Sequence, residues 1–323
     1  MSCALLRHQL EALDRFAGLD REREQTASQE SGVPLIDLAL TPFTYGYMAT
    51  AIWVSALVGG VCAFLSAYLM LKGWSLIGDA LSHSIVPGVA GAYMLGLPFA
   101  LGAFVAGGLA AGAMLFLNQR SGLKEDAIIG LIFTSFFGLG LFMVSVSPTS
   151  VSVQSITMGN ILSITPEDTL QLVLIGCVSL AVLLAKWKDL MVTFFDENHA
   201  RSIGIKTGLL KGVFFTLLSA SCVAALQTVG AFLVIAMVVT PGATAYLLCD
   251  RFSRLIAVSV AIGMGTSFFG AYISYFLNGA TGGVIVVLQT LLFLTAFLFA
   301  PKHGLRAARL HLRLHRALAQ GII

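Results

Sequence analysis

Charge is scarce in this sequence. Only 11% of its 323 residues are Asp, Glu, Lys or Arg, while 57% are apolar. A water-soluble chain of this length needs far more charge to cover its surface. Cysteine is also sparse, at five residues, with no CxxC pair among them. Cys62, Cys177 and Cys222 fall within apolar runs and Cys249 at the end of one, so they read as small hydrophobes and imply no disulfide framework. The phosphate-binding pattern Gly-x4-Gly-Lys-[Ser/Thr] is absent, so any ATP hydrolysis has to come from another polypeptide. No serine occupies a Gly-x-Ser-x-Gly elbow, and no catalytic residue is expected. The start of the chain lacks an apolar core of signal-peptide length.

What the sequence does contain is long apolar runs of about 20 residues each, the length that crosses a bilayer as a helix. A membrane β-barrel would instead show short alternating segments. The expected fold is all-α: a polytopic transmembrane bundle of about eight to nine spans. The runs cover approximately 45–71, 75–96, 99–117, 126–147, 170–185, 212–226, 230–249, 255–277 and 283–300. The third is dense in small residues (Gly102, Ala106, Gly107, Gly108, Ala110, Ala111, Gly112), as close helix packing in membranes requires. Val151–Ile164 is too short and polar to span and reads as a re-entrant or surface element. Residues 1–40 form a polar extension with a candidate amphipathic helix at Ala4–Phe16. Residues 41–304 form the membrane domain, and 305–323 a basic tail.

Of the nineteen Lys and Arg, four precede residue 40 and fifteen follow it. With the spans alternating, all fifteen fall on one side, and the opposite loops carry only Glu167 and Asp168. The positive-inside bias makes that side cytoplasmic. The N-terminus is then outside and the tail inside.

Against this background one stretch stands out: Trp74-Ser-Leu-Ile-Gly-Asp79-Ala-Leu-Ser-His83-Ser-Ile-Val-Pro87-Gly88. Between Lys72 and Arg120 the only charged side chain is Asp79 and the only histidine is His83. An ionisable residue inside a span costs roughly 2.5–3.5 kcal/mol on insertion scales, and it marks a bundle interior or a water-filled path. Four residues apart on a helix, the two share one face about 5–6 Å apart. A carboxylate facing an imidazole suits a borderline divalent cation such as Mn, Fe or Zn. Pro87 cannot donate to the His83 carbonyl, which is left for water, a neighbour or an ion. Two other readings stay open. The pair pins a helix packing by bonding to each other, or Asp79 orients His83 without touching the ion.

A second stretch, Phe194-Phe-Asp196-Glu197-Asn-His-Ala200-Arg-Ser-Ile-Gly204, reads as a short cytoplasmic helix. Asp196 is its N-cap, Gly204 its terminator, and Ala200 and Ile203 share an apolar edge. Such a helix suits docking into a groove of a soluble partner. His311 and His315 in the tail are four apart, but the leucines and basic residues around them describe a membrane-surface segment.

Together with Glu125-Asp126-Ala-Ile-Ile-Gly130, Gly159-Asn-Ile-Leu, Gln227-Thr-Val-Gly-Ala-Phe-Leu-Val and Thr240-Pro241-Gly-Ala-Thr-Ala, these stretches resemble the permease of ABC-type manganese, iron and zinc importers. The resemblance covers about residues 45–303 in the family's order. It implies a dimeric membrane subunit, of identical or related chains, working with a cytoplasmic ATPase that binds ATP and an extracytoplasmic metal-binding protein. It implies Asp79 and His83 as metal-path residues. It also assigns contact with the ATPase to the segment Asp196–Gly204, with Asp196, Glu197, Ala200 and Gly204 as its coupling residues. No cofactor resides in this chain and no nucleic acid is a partner; the transported metal is the substrate. One carboxylate and one imidazole per chain, without nearby cysteine, favour Mn or Fe over Zn. The competing expectations are a zinc permease of the same family, a permease for a bulkier metal chelate, and a proton-coupled secondary transporter with Asp79 and His83 as its relay.

Overall fold

The computed structural model describes residues 35–146 and 165–300. The Ala4–Phe16 stretch, the Val151–Ile164 element with Gly159-Asn160, and the basic tail with His311 and His315 lie outside the described residues. Among those described there are twelve helices and no strand. Residues 1–49 and 50–323 form separate compact units. The ten-residue α1 (Leu35–Thr44) belongs to the first, and the packing below concerns the second.

Seven helices are long and apolar enough to cross a membrane: α2 (Gly46–Lys72), α5 (Phe99–Arg120), α6 (Glu125–Val146), α7 (Pro166–Phe195), α9 (Thr207–Val229), α11 (Phe252–Leu277) and α12 (Thr281–Phe299). The apolar α10 (Ala231–Leu248) fills the seventh run. The second run is met by two ten-residue helices, α3 (Ser75–Ser84) and α4 (Val86–Leu95). The nine apolar runs thus all have helical counterparts.

The chain's most buried span is α2, with 83% of its apolar window inside the bundle. Without a water-driven force between helices in lipid, polar contacts and close packing hold such a span. Ser66 Oγ donates to the Val239 carbonyl at 3.1 Å and accepts the Gly242 N–H at 3.0 Å. Both groups lie within two residues of Pro241, inside α10, whose missing N–H leaves the Met237 carbonyl without its helical donor. Ser259 Oγ of α11 donates to the Ala63 carbonyl at 2.7 Å, and the Tyr68 hydroxyl donates to the Trp187 carbonyl of α7 at 2.9 Å.

The small residues of the third run do bring backbones together. A methyl group on Gly88 of α4 would lie 2.0 Å from the Gly102 carbonyl oxygen of α5, so only glycine fits the crossing. Beyond α4, α5 also packs on α9 and α6, and α3 sits among α6, α9, α10 and α5.

Two boundaries differ from the sequence reading. Helix α7 runs ten residues past the apolar run, through Lys186, Lys188 and Asp189, to Phe195. Its start is fixed by Thr165, whose side chain accepts the Asp168 N–H at 3.1 Å, with Pro166 in the first turn. The second difference is a chain break at Ile85. Pro87 does not sit inside a continuous helix but in the first turn of α4, where a missing N–H costs nothing. The His83 carbonyl accepts the N–H of its neighbour Ile85, where the sequence left water, a neighbour or an ion as its partner.

Candidate functional site

Helix α3 buries Ile77, Gly78, Ala80, Leu81, Ser82 and Ser84 against the rest of the chain. Leu76, Asp79 and His83 form the strip that stays at least partly open. The two ionisable residues therefore face away from this chain's own core, although they lie inside an apolar segment. His83 Nε2 is 3.4 Å from Asp79 Oδ1, and the side chains are 15% and 37% exposed respectively. That separation fits a contact between the two groups themselves.

Aromatic rings wall the histidine. Phe133 and Phe137 of α6 stack on each other at 5.9 Å and present their faces to the edge of the His83 ring, with centroids 5.5 and 5.4 Å away. This apolar wall limits rotation of the imidazole and leaves Asp79 on its open side. The sequence did not single out either phenylalanine, because a spacing of four in an apolar span does not distinguish them from packing residues.

Among the described residues, no third His, Cys, Asp or Glu joins the pair in a group able to hold a metal ion. One chain thus offers one oxygen and one nitrogen ligand type. A transition metal needs more donors than that. The open face is where a second chain or water would supply them.

The second predicted site also has a defined geometry. Helix α8 (Glu197–Ser202) is capped by Asp196, whose Oδ1 accepts the His199 N–H at 3.0 Å. It ends at Gly204, which adopts φ +85°. The Gly204 N–H bonds the Arg201 carbonyl, and the Ile205 N–H bonds the Ala200 carbonyl at 3.0 Å. Only glycine takes this left-handed turn without strain. Ala200 is fully buried, whereas Ile203 is 55% exposed. The shared apolar edge expected for those two residues is therefore not formed: Ala200 packs inward and Ile203 lies at the helix end, facing out.

Glu197 is held by Lys211 Nζ at 2.6 Å and by Arg201 Nη2 at 2.7 Å. Partial burial pushes its pKa up, but the hydrogen bonds and charges of Lys211 and Arg201 outweigh that and hold it below the ordinary glutamate value. Of the four predicted coupling residues, Asp196, Glu197 and Gly204 shape and anchor the helix, and Ala200 seats it. Asp196 and Gly204 are themselves exposed; α8 also presents Asn198, His199, Arg201 and Ser202 outward, with Ile203 just after it and Phe195 at 78% exposure just before the cap. Beside them lies a cleft of about 490 Å³ between the ends of α2, α7, α10 and α11, lined by Leu71, Met191, Phe195, Tyr246 and Phe252 together with Asp196 and His199.

Comparison with known proteins supplies context for both sites. The model of the ABC 3 transport family matches residues 44–300. The chain is 66% identical over 282 residues to the chelated iron transport system membrane protein YfeC of Yersinia pestis, covering 87% of this chain and 96% of that protein. It is 47% identical over 266 residues to the manganese transport system membrane protein MntB of Synechocystis sp., covering 82% and 87% respectively. Among solved structures it superposes on a chain of PsaBC from Streptococcus pneumoniae in complex with Fab. The TM-score is 0.75 at 33% identity, over 86% of this chain and all of that one.

Proposed function

The chain belongs to the ABC 3 transport family, and on that premise we propose that it is the permease of an ATP-driven importer moving a divalent transition metal, iron or manganese, across the bacterial inner membrane. The observation that carries this reading is the Asp79–His83 pair on the open strip of α3. An intramembrane carboxylate and imidazole, 3.4 Å apart, the first partly open and the second walled by aromatic rings, suit a bare cation that is bound briefly and released. The relatives' names give chelated iron for one and manganese for another, and both metals suit an oxygen and nitrogen donor set.

In this reading two permease chains bring two Asp79–His83 pairs to a common axis. The aromatic wall of Phe133 and Phe137 keeps each imidazole aimed at that axis. The capped α8, with exposed Phe195 and Ile203 beside the 490 Å³ cleft, is the docking surface for a cytoplasmic ATPase. An extracytoplasmic binding protein delivers the ion.

The test is uptake of radiolabelled manganese and ferrous iron by cells without another importer for these ions. They express wild-type chain, His83→Ala or Asp79→Asn, with the partner subunits. The variants are expected to reach the membrane at wild-type levels and to lose uptake. Wild-type uptake by His83→Ala would sink the assignment of the path.

A further inference from the structure

A second cavity, of about 90 Å³, lies between the start of α3 and α8. Its polar lining comes from Lys72, Trp74, Asn118, Glu125, Glu197 and Lys211. Trp74 is the residue before α3, and it is 6% exposed. Its indole N–H donates to Glu125 Oε2 at the start of α6, and Glu125 Oε1 accepts from Asn118 Nδ2 at the end of α5. Across the cavity, Lys211 of α9 holds Glu197 of α8 at 2.6 Å, with the lysine side chain 13% exposed. Breaking one partner out of such a sheltered polar pair is far more costly than losing a surface ion pair.

A ring contact closes the circuit. Phe194, two residues before the Asp196 cap, lies edge-on to Trp74 at 5.6 Å, and Phe215 of α9 stacks on Trp74 at 5.7 Å. The indole is therefore touched by the segment leading into α8 and by the helix to which α8 is salt-bridged. Asp79 is five residues further along α3, about 7.5 Å in helical rise, and His83 one turn beyond it. At its other end α3 is separated from α4 by the single residue Ile85.

We propose that Trp74 and Lys211 are positioning residues: they form a joint through which a displacement of α8 is passed to α3, and hence to Asp79 and His83. The inference rests on the reading of the chain as an ATP-driven permease and names the part of the chain that links hydrolysis to the path. Neither residue touches the ion. Packed contacts of this kind transmit a shift because the packed interior repacks between arrangements and does not deform smoothly.

The test uses the complete transporter, this chain with its ATPase and binding protein, in proteoliposomes. Manganese uptake and ATP hydrolysis are followed in the same preparation. Trp74→Phe keeps the ring contacts and removes the N–H to Glu125. Lys211→Met keeps the stem and removes the charge, and Lys211→Arg keeps the charge. Ions moved per ATP are expected to fall about tenfold in Trp74→Phe and in Lys211→Met, while hydrolysis stays within about twofold of wild type. Lys211→Arg is expected to recover most of the ratio. A wild-type ratio in both Trp74→Phe and Lys211→Met overturns the joint. So does a parallel fall of uptake, hydrolysis and assembled complex, which would give these residues a packing role alone. Absence of ATP-dependent uptake in the wild type would instead refute the parent reading, and the joint with it. Coupled wild-type transport with unaltered variants refutes the joint alone.

Discussion

At the scale of single residues, the molecule separates groups that bind from groups that aim. On the proposed reading Asp79 and His83 supply the donors, while Phe133 and Phe137 wall the imidazole. The donors were legible in the sequence because an ionisable side chain in an otherwise uncharged run is conspicuous. The wall was not, because two more phenylalanines in an apolar span carry no signal until α6 is placed against α3. Glu197 allows a residue-level prediction about pH. Its carboxylate is held below the ordinary glutamate value by Lys211 and Arg201 despite partial burial. A depressed folded-state value means that the stabilisation is fully present above the unfolded-state value and is lost as pH falls through the folded one. The thermal stability difference between wild type and Glu197→Gln is therefore expected to be constant around neutrality and to vanish on acidification below the ordinary glutamate range. A difference that does not change with pH would contradict the ion-pair account.

At the scale of elements, the decisive features are breaks and caps. Hydropathy located some spans to within a few residues, as where the run from Tyr45 to Leu71 became Gly46–Lys72, while α7 extends ten residues past its run. The periodicity of apolar residues could not show that the second span is two helices. The break at Ile85 depends on Pro87 occupying the first turn of α4 and on the close Gly88–Gly102 crossing, which is a tertiary contact. The cap chemistry of α8 was legible, because Asp196 and Gly204 are local signals. The orientation of Ala200 was not, because it depends on how α8 sits on α7 and α9. A substitution that forbids the left-handed turn tests the cap. Gly204→Val is expected to cost about 1–2 kcal/mol locally, read as roughly tenfold faster amide exchange at Ile205. Unchanged exchange would mean that the turn does not hold the helix end. The exposed side chains give a separate expectation. Phe195→Asp should leave the fold intact and lower the amount of ATPase that co-purifies with the chain, whereas undiminished co-purification would remove this residue from the docking surface.

At the scale of the whole molecule, charge asymmetry sets orientation and the open face of α3 sets stoichiometry. The loops at Ser121–Lys124 and at α8 are expected on the cytoplasmic side, and the turn at Asn278–Ala280 between α11 and α12 outside. An impermeant thiol reagent should modify Asn278→Cys in intact spheroplasts and reach Leu123→Cys only after permeabilisation; the reverse pattern would invert the topology. Among the described residues the Asp79–His83 pair has too few donors for a transition metal, so on the proposed reading a second chain or water completes the site. That requirement was visible from the sequence alone, as a count of ligands.

The most direct measurement of the account is manganese and iron uptake into proteoliposomes holding this chain with its ATPase and binding protein, comparing wild type with the Asp79→Asn/His83→Ala double variant. The account predicts uptake that requires ATP in the wild type and is lost in the variant, with the complex still assembled. Uptake driven by a proton gradient without the ATPase, or undiminished ATP-driven uptake in the variant, would contradict it.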